Sequence, residues 1–132
     1  MAMFDTPTRT DDPASVEGAE KVSTSLQWHG RTAVLVITGE VDMVTAPRVQ
    51  GKLTSTLEEH RPPVLVVDLE HVDFFASAGL SALVAAYQQA GESTSLRVVA
   101  GNSATARPLR VTALDRKIAV YSSREEALSA DR

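Results

Sequence analysis

The 132-residue chain reads as one α/β domain, a mixed sheet of about five strands with about four helices that opens on a β-hairpin. Three observations predict this. Short apolar, β-branched runs recur along the chain. Stretches with helical apolar spacing separate most of them. The first two runs follow each other with no room for a helix between. Strands alternating with helices imply a mostly parallel sheet with helical cover, and the opening hairpin makes it mixed.

Val22, Thr24, Leu26 and Trp28 alternate with Ser23, Ser25 and Gln27, the period of a strand with one buried face. His29-Gly30-Arg31 offers a turn in which Gly30 is free to take positive φ. Ala33-Val34-Leu35-Val36-Ile37 is apolar throughout, so the second strand of the hairpin is the more deeply buried. A helix is expected over about 45–59. Thr45 suits its N-cap and Pro47 its first turn, where a missing N–H costs nothing. Val49, Leu53 and Leu57 form one narrow stripe, Gly51 weakens the helix, and Arg61-Pro62-Pro63 ends it.

Residues 64–69 are apolar on both faces until Asp68, as in strands covered from both sides. A linking segment over 70–76 leads to a helix over about 78–90, with Ser77 as N-cap and Gly91 just past its end. Its stripe is Leu80, Leu83, Val84 and Tyr87. Residues 96–99 form a short strand. Asn102-Ser103 offers a cap for a third helix carrying Leu109, Val111 and Leu114, unless Pro108 starts that helix instead. Residues 118–121 make a last strand, and Ser123-Arg124-Glu125-Glu126 is the capping box of a terminal helix. Residues 1–20 hold only Phe4 and Val16 as large apolar residues, so they read as a disordered tail ahead of a domain over 21–130.

Composition narrows the function. Val, Leu, Ile and Phe account for 33 residues, a quarter of the chain and enough for a packed core. A net charge of −4 argues against a nucleic-acid surface, which needs a basic face. The absence of Cys excludes disulfides, thiolate metal sites and thiol catalysis. His29, His60 and His71 lack metal-ligand spacing and read as surface loop residues. No apolar run reaches the ~20 residues of a membrane span, and no secretory signal is visible. The expectation is a cytoplasmic domain with no cofactor, no metal and no membrane.

Two segments carry potential chemistry. In Asp73-Phe74-Phe75-Ala76-Ser77-Ala78-Gly79-Leu80, Ser77 stands where a helix begins, flanked by residues too small to shield its hydroxyl. Helix N-termini present unpaired N–H groups and partial positive charge, which suits a phosphate. Phe75, Ala76, Ala78, Gly79 and Leu80 around it suit a small apolar docking knob, in which an exposed Phe75 would be an anchor and a buried one core. Gly39-Glu40-Val41-Asp42 leaves an apolar strand ahead of a helix, with both acids outside the core. Loops at strand ends commonly form sites in such folds.

Together these segments resemble the STAS domain of bacterial anti-sigma factor antagonists. The family pattern G-E-L-D-x-x-x-A is matched by Gly39, Glu40, Asp42 and Ala46, with Val41 in place of Leu. The family's F-[hydrophobic]-D-S-[ST]-G-L is matched at Phe74, Ser77, Gly79 and Leu80. The likeness extends over about 22–127. It implies a STAS-like fold and a binding switch rather than an enzyme. The unphosphorylated form would bind an anti-sigma factor, usually a GHKL-type serine protein kinase, and so free a sigma factor. Phosphorylation would end binding, and a metal-dependent serine phosphatase would restore it. The phosphoacceptor position corresponds to Ser77, with Asp42 the family's loop aspartate and Glu40 beside it. The family's Asp before the serine is Ala76 here, and its following Ser or Thr is Ala78. Losing that Asp removes a charge and an acceptor beside the hydroxyl. Related domains also serve without phosphorylation in transport and signalling complexes, which is the alternative implied.

Two other readings compete on the residues alone. A G-x-S-x-G nucleophile elbow needs a later His, and none follows Ser77. A phospho-receiver would use Asp68 with Lys117, but no paired acids leave an early strand.

Overall fold

The computed structural model describes residues 21–130; the tail expected over 1–20 lies outside the described residues. Five strands, β1 (Val22–His29), β2 (Thr32–Val41), β3 (Val64–Phe75), β4 (Ser95–Val99) and β5 (Ala119–Tyr121), lie in one sheet in sequence order. β1 pairs antiparallel with β2, and the remaining pairs are parallel. The helices are α1 (Ala46–His60), α2 (Ser77–Ala90), α3 (Ser103–Val111) and α4 (Arg124–Ser129), with a 3-10 turn at Leu114–Arg116.

The hairpin is tight. His29 pairs with Thr32 across a two-residue loop, and Gly30 takes φ 62° while Arg31 stays at negative φ. A positive φ at the first loop position alone fits a type II′ turn, whose twist matches paired strands. The outer strand buries less than its alternation predicts. Val22 is buried and Trp28 is 47% exposed. Trp28 instead meets the last residue of α1, with its ring 5.3 Å from that of His60 in an edge-on arrangement. All three histidines are exposed, although His29 and His71 lie in strands and His60 in a helix.

Alternation in the inner strands divides the core in two. Ala33, Leu35, Ile37, Leu65 and Val67 face one way and pack with Val49, Leu53 and Leu57 of α1, Leu83 of α2 and Leu109 of α3. Val34, Val36, Val64, Val66 and Val99 face the other way and meet Ala127 of α4. Among the described residues, three helices therefore cover one face and the shortest covers the other. The inward side of α2 is not the expected stripe. Gly79, Ala82, Leu83, Ala86 and Ala90 are its buried residues, and Tyr87 is 40% exposed. Small residues face inward because α2 packs closely on α1 and the sheet, and Tyr87 is too large for that spacing.

α4 is too short to hold itself in place. Its start is capped by Ser123 Oγ, which accepts the Glu126 N–H at 3.1 Å. Glu126 Oε1 accepts the Ser122 N–H in return. Asp68, fully buried on the α4 face, accepts from Arg124 Nε and lies 2.8 Å from its Nη2. Asp68 Oδ1 also accepts the Glu70 N–H, and buried Arg97 donates to the Ala127 carbonyl. The Asp68 carboxylate is thus committed to an ion pair, while Lys117 is exposed beside the 3-10 turn. This removes the receiver-type reading of the pair. α3 begins at Ser103, not Pro108, because Asn102 Oδ1 accepts the Thr105 N–H as a true cap. Pro108 is accommodated inside a helix of nine residues, where its missing N–H costs one bond.

Arg124→Ala leaves Asp68 buried without its counter-charge, a loss on the order of 3 kcal/mol. Thermal unfolding is expected to show a midpoint lower by roughly 10 °C. The double variant with Asp68→Asn should recover much of that drop.

Candidate functional site

The site lies at the C-terminal ends of β2 and β3, and β3 makes it by running further than the sequence suggests. Residues 70–76, expected to be a linker, continue the strand to Phe75. β4 pairs only with the first five residues of β3. The rest of β3 pairs with β2 alone, through Thr38↔His71 to Val41↔Phe75. Gly39-Glu40-Val41, expected as an exit loop, is strand as well. Two register shifts, one bracketing Ile37 and one between Gly39 and Glu40, accommodate the mismatch between the strands. Gly39 adopts φ 109°, and a Cβ there would collide with the Lys21 carbonyl, so only glycine fits this crossing of β1 and β2.

The two sequence motifs, more than thirty residues apart, end side by side. Ala76 N–H donates to the Val41 carbonyl at 2.8 Å. From this join the chain turns into α1 on one side and α2 on the other. The two helix starts differ. Asp42 Oδ1 accepts the N–H groups of Val44 and Thr45 at 2.9 and 3.0 Å. Asp42 N–H donates to Thr45 Oγ1, whose hydroxyl reaches the Glu40 carbonyl at 2.8 Å. Thr45 is fully buried and offers no side-chain cap; the carboxylate of Asp42 does that work. Lys21 Nζ lies 3.1 Å from Asp42 Oδ2. The Thr45 N–H and then the Lys21 ammonium hold the Asp42 carboxyl at a pKa of about 2, below its usual 3.8.

α2 has no such cap. Ala76, not Ser77, occupies the N-cap position with extended backbone, and Ser77 is the first helical residue. Ala76 has no side-chain acceptor to offer, and no acidic residue lies in the first turn. Ser77 is exposed, and its hydroxyl has no hydrogen-bond partner among the described residues. Ala78 and Leu80 are half-buried. Phe75 is 6% exposed and packs in the core, so it is no surface anchor. Its ring lies under Gly79, where an added Cβ would sit 2.8 Å from Phe75 Cε1 and 2.9 Å from Val41 Cγ1. Buried Gly79 thus lets α2 approach the strand ends, and both residues support the surface from beneath.

Exposed apolar side chains outside the expected partner-binding set lie in the same two strand-to-helix segments. Met43 and Val44 are 81% and 65% exposed, and Phe74 is 52% exposed. Glu40 is exposed alongside. The signal was present, since apolar side chains in a polar turn find no core partner. Among the described residues no group of His, Asp and Glu is placed to hold a metal ion, and no helix is long and apolar enough to cross a membrane.

Two outcomes test this geometry. Gly79→Ala forces the Phe75 ring aside, so denaturant titration is expected to show a loss of about 1–3 kcal/mol, relieved in part by Phe75→Leu. The Asp42 pKa is lowered on folding, so its contribution to stability is present above pH 3.8 and fades as pH falls toward 2. The gap in unfolding midpoint between wild type and Asp42→Asn should therefore shrink over that interval.

The comparisons agree with this architecture. The family model described as the STAS domain matches residues 23–127. An anti-sigma-F factor antagonist of Mycobacterium tuberculosis, RsfB, is 33% identical over 113 residues, covering 86% of this chain and 92% of its own. The crystal structure of an anti-sigma factor antagonist from Mycobacterium paratuberculosis superposes with a TM-score of 0.79 at 37% identity, covering 82% of this chain and 92% of that one. SpoIIAA in its unphosphorylated form, at 15% identity, shares the fold with a TM-score of 0.67, over 80% of this chain and 93% of its own. With a five-stranded mixed sheet and four helices among the described residues, and both motifs meeting at one end of β2 and β3, this chain belongs to the STAS-domain family.

Proposed function

We propose that this chain is an anti-sigma factor antagonist that frees a sigma factor by binding its anti-sigma factor, and that phosphorylation of Ser77 by a serine kinase releases the complex. A serine phosphatase returns the chain to its binding form. The observation that carries this reading is an exposed serine at the first position of an uncapped helix, between Ala76 and Ala78 and close to the join of β2 and β3. Names of relatives support the same class.

The physics of such a switch follows from the surroundings of Ser77. Met43, Val44, Ala76, Ala78 and Leu80 offer a small apolar surface beside Glu40, and Asp42 shapes the turn that displays it. A phosphate adds a charge of about −1.5 to −2. The free N–H groups at the start of α2 tolerate that charge, so the fold survives modification. An interface closing over the dianion without a counter-charge does not. Unpaired buried charges cost about 3–5 kcal/mol, and about 1.4 kcal/mol is a tenfold change in affinity.

A second reading, a STAS interaction module that works without phosphorylation, is favoured by one feature. Ala76 provides no carboxylate beside the hydroxyl, where the family pattern has Asp.

Incubation with the anti-sigma factor of the same organism and ATP, followed by peptide mass spectrometry, separates the two. The expected result is acid-stable phosphate on Ser77, absent from Ser77→Ala. Calorimetric titration should also show at least a tenfold loss of affinity for Ser77→Glu. Tight binding of both variants, with no phosphate incorporated, would leave the phosphorylation-independent module.

A further inference from the structure

A second surface feature lies at the same end of β3. Asp73, Phe74 and Phe75 of β3 and Ala104, Pro108 and Val111 of α3 line an apolar groove of about 390 Å³. α3 turns Thr105 and Leu109 into the core, which leaves Val111 on its outer side, 72% exposed, near the half-exposed Phe74 ring. Neither side chain contributes to the two core clusters. Cationic groups border the groove. Arg107 lines it and Arg110 follows, exposed, along the helix. α3 itself carries Arg107 and Arg110 and no acid, in a chain whose total charge is −4, and Asp73 is the one carboxylate in the lining.

We propose that this groove is a second docking point of the same interface, taking an apolar side chain flanked by carboxylates from a helix of the anti-sigma factor. The inference rests on the function proposed above and adds the chemistry of the partner. Two arguments select this occupant. Continuity is one: Phe74 and Ser77 are separated by two residues at the strand-to-helix turn, so one partner reaching Ser77 also reaches the groove. Charge is the other, since a locally basic rim on an acidic protein attracts an acid-flanked segment and discriminates against a basic one. A concave pocket also suits a protruding side chain better than the flat face of a bilayer, and the two arginines of α3 fall short of the roughly four to eight cations that hold an anionic membrane.

The test uses the full chain and the purified anti-sigma factor of the same organism, with affinities from calorimetry. Val111 and Arg107 are exposed, so Val111→Asp and Arg107→Glu should fold, as thermal melts will verify. Val111→Asp is expected to weaken binding about tenfold or more. Arg107→Glu should weaken it too, and less so as salt is raised. Wild-type affinity in both variants, with binding lost in Ser77→Glu, overturns the groove and leaves the Ser77 reading standing. Weakened binding in Val111→Asp and Arg107→Glu, with Ser77→Glu unaffected, supports the groove and removes the Ser77 switch. Sedimentation with phosphatidylglycerol vesicles that Val111→Asp abolishes, with its anti-sigma affinity unchanged, overturns the proposal in favour of a lipid surface. A wild-type chain that binds no anti-sigma factor overturns both readings.

Discussion

The functional end of this protein depends on one pairing, the parallel ladder between the outer halves of β2 and β3. It continues to Val41↔Phe75 beyond the point where β4 stops, and the Ala76 N–H closes it on the Val41 carbonyl. Parallel strands end on the same edge of a sheet, so both chains leave the ladder together. Each then enters a helix that packs back on the same face. Gly39 permits the bulged crossing, and Gly79 lets α2 close down on Phe75 and Val41. The exposed residues at this end are presented by a buried framework that includes Val41, Phe75 and Gly79.

The two helix starts flanking this join are electrostatic opposites. α1 begins on a permanent carboxylate, Asp42, already satisfied by two backbone N–H groups and Lys21. α2 begins on Ala76 with no side-chain acceptor and no acid in its first turn. Its positive end therefore faces the exposed Ser77 hydroxyl uncompensated. Negative charge would therefore be better tolerated at the start of α2 than at the start of α1.

On the other face, a polar clamp secures the thin side of the sheet. Among the described residues α4 is the one helix over the second face, and it carries little apolar area of its own. Asp68 and Arg124 pin its start, and Arg97 holds its last turn through the Ala127 carbonyl. The clamp explains a buried aspartate in an otherwise apolar strand without invoking chemistry there.

Much of this was legible in the chain itself. Alternation and continuous apolar runs located all five strands, and the spacing of Val49, Leu53 and Leu57 located α1, because periodicity reports burial directly. The cap at Ser123 was legible for the same local reason. Both motifs containing Ser77 and Asp42 could be read without a structure. Other features were decided only in three dimensions. Residues 70–75 became strand because β2 supplied hydrogen-bond partners, which local composition does not encode. Phe74 or Phe75 was a choice of strand face, set by the register with β2, and it made Phe75 core and Phe74 surface. Asp42 became a cap, and Thr45 a buried hub, through bonds spanning the whole turn. Asp68 met Arg124 across 56 positions. Local pattern determines which segments are strand or helix and which residues are small, apolar or charged. Only the packed chain decides which of them meet and which are left facing solvent, since that follows from contacts between segments far apart in sequence.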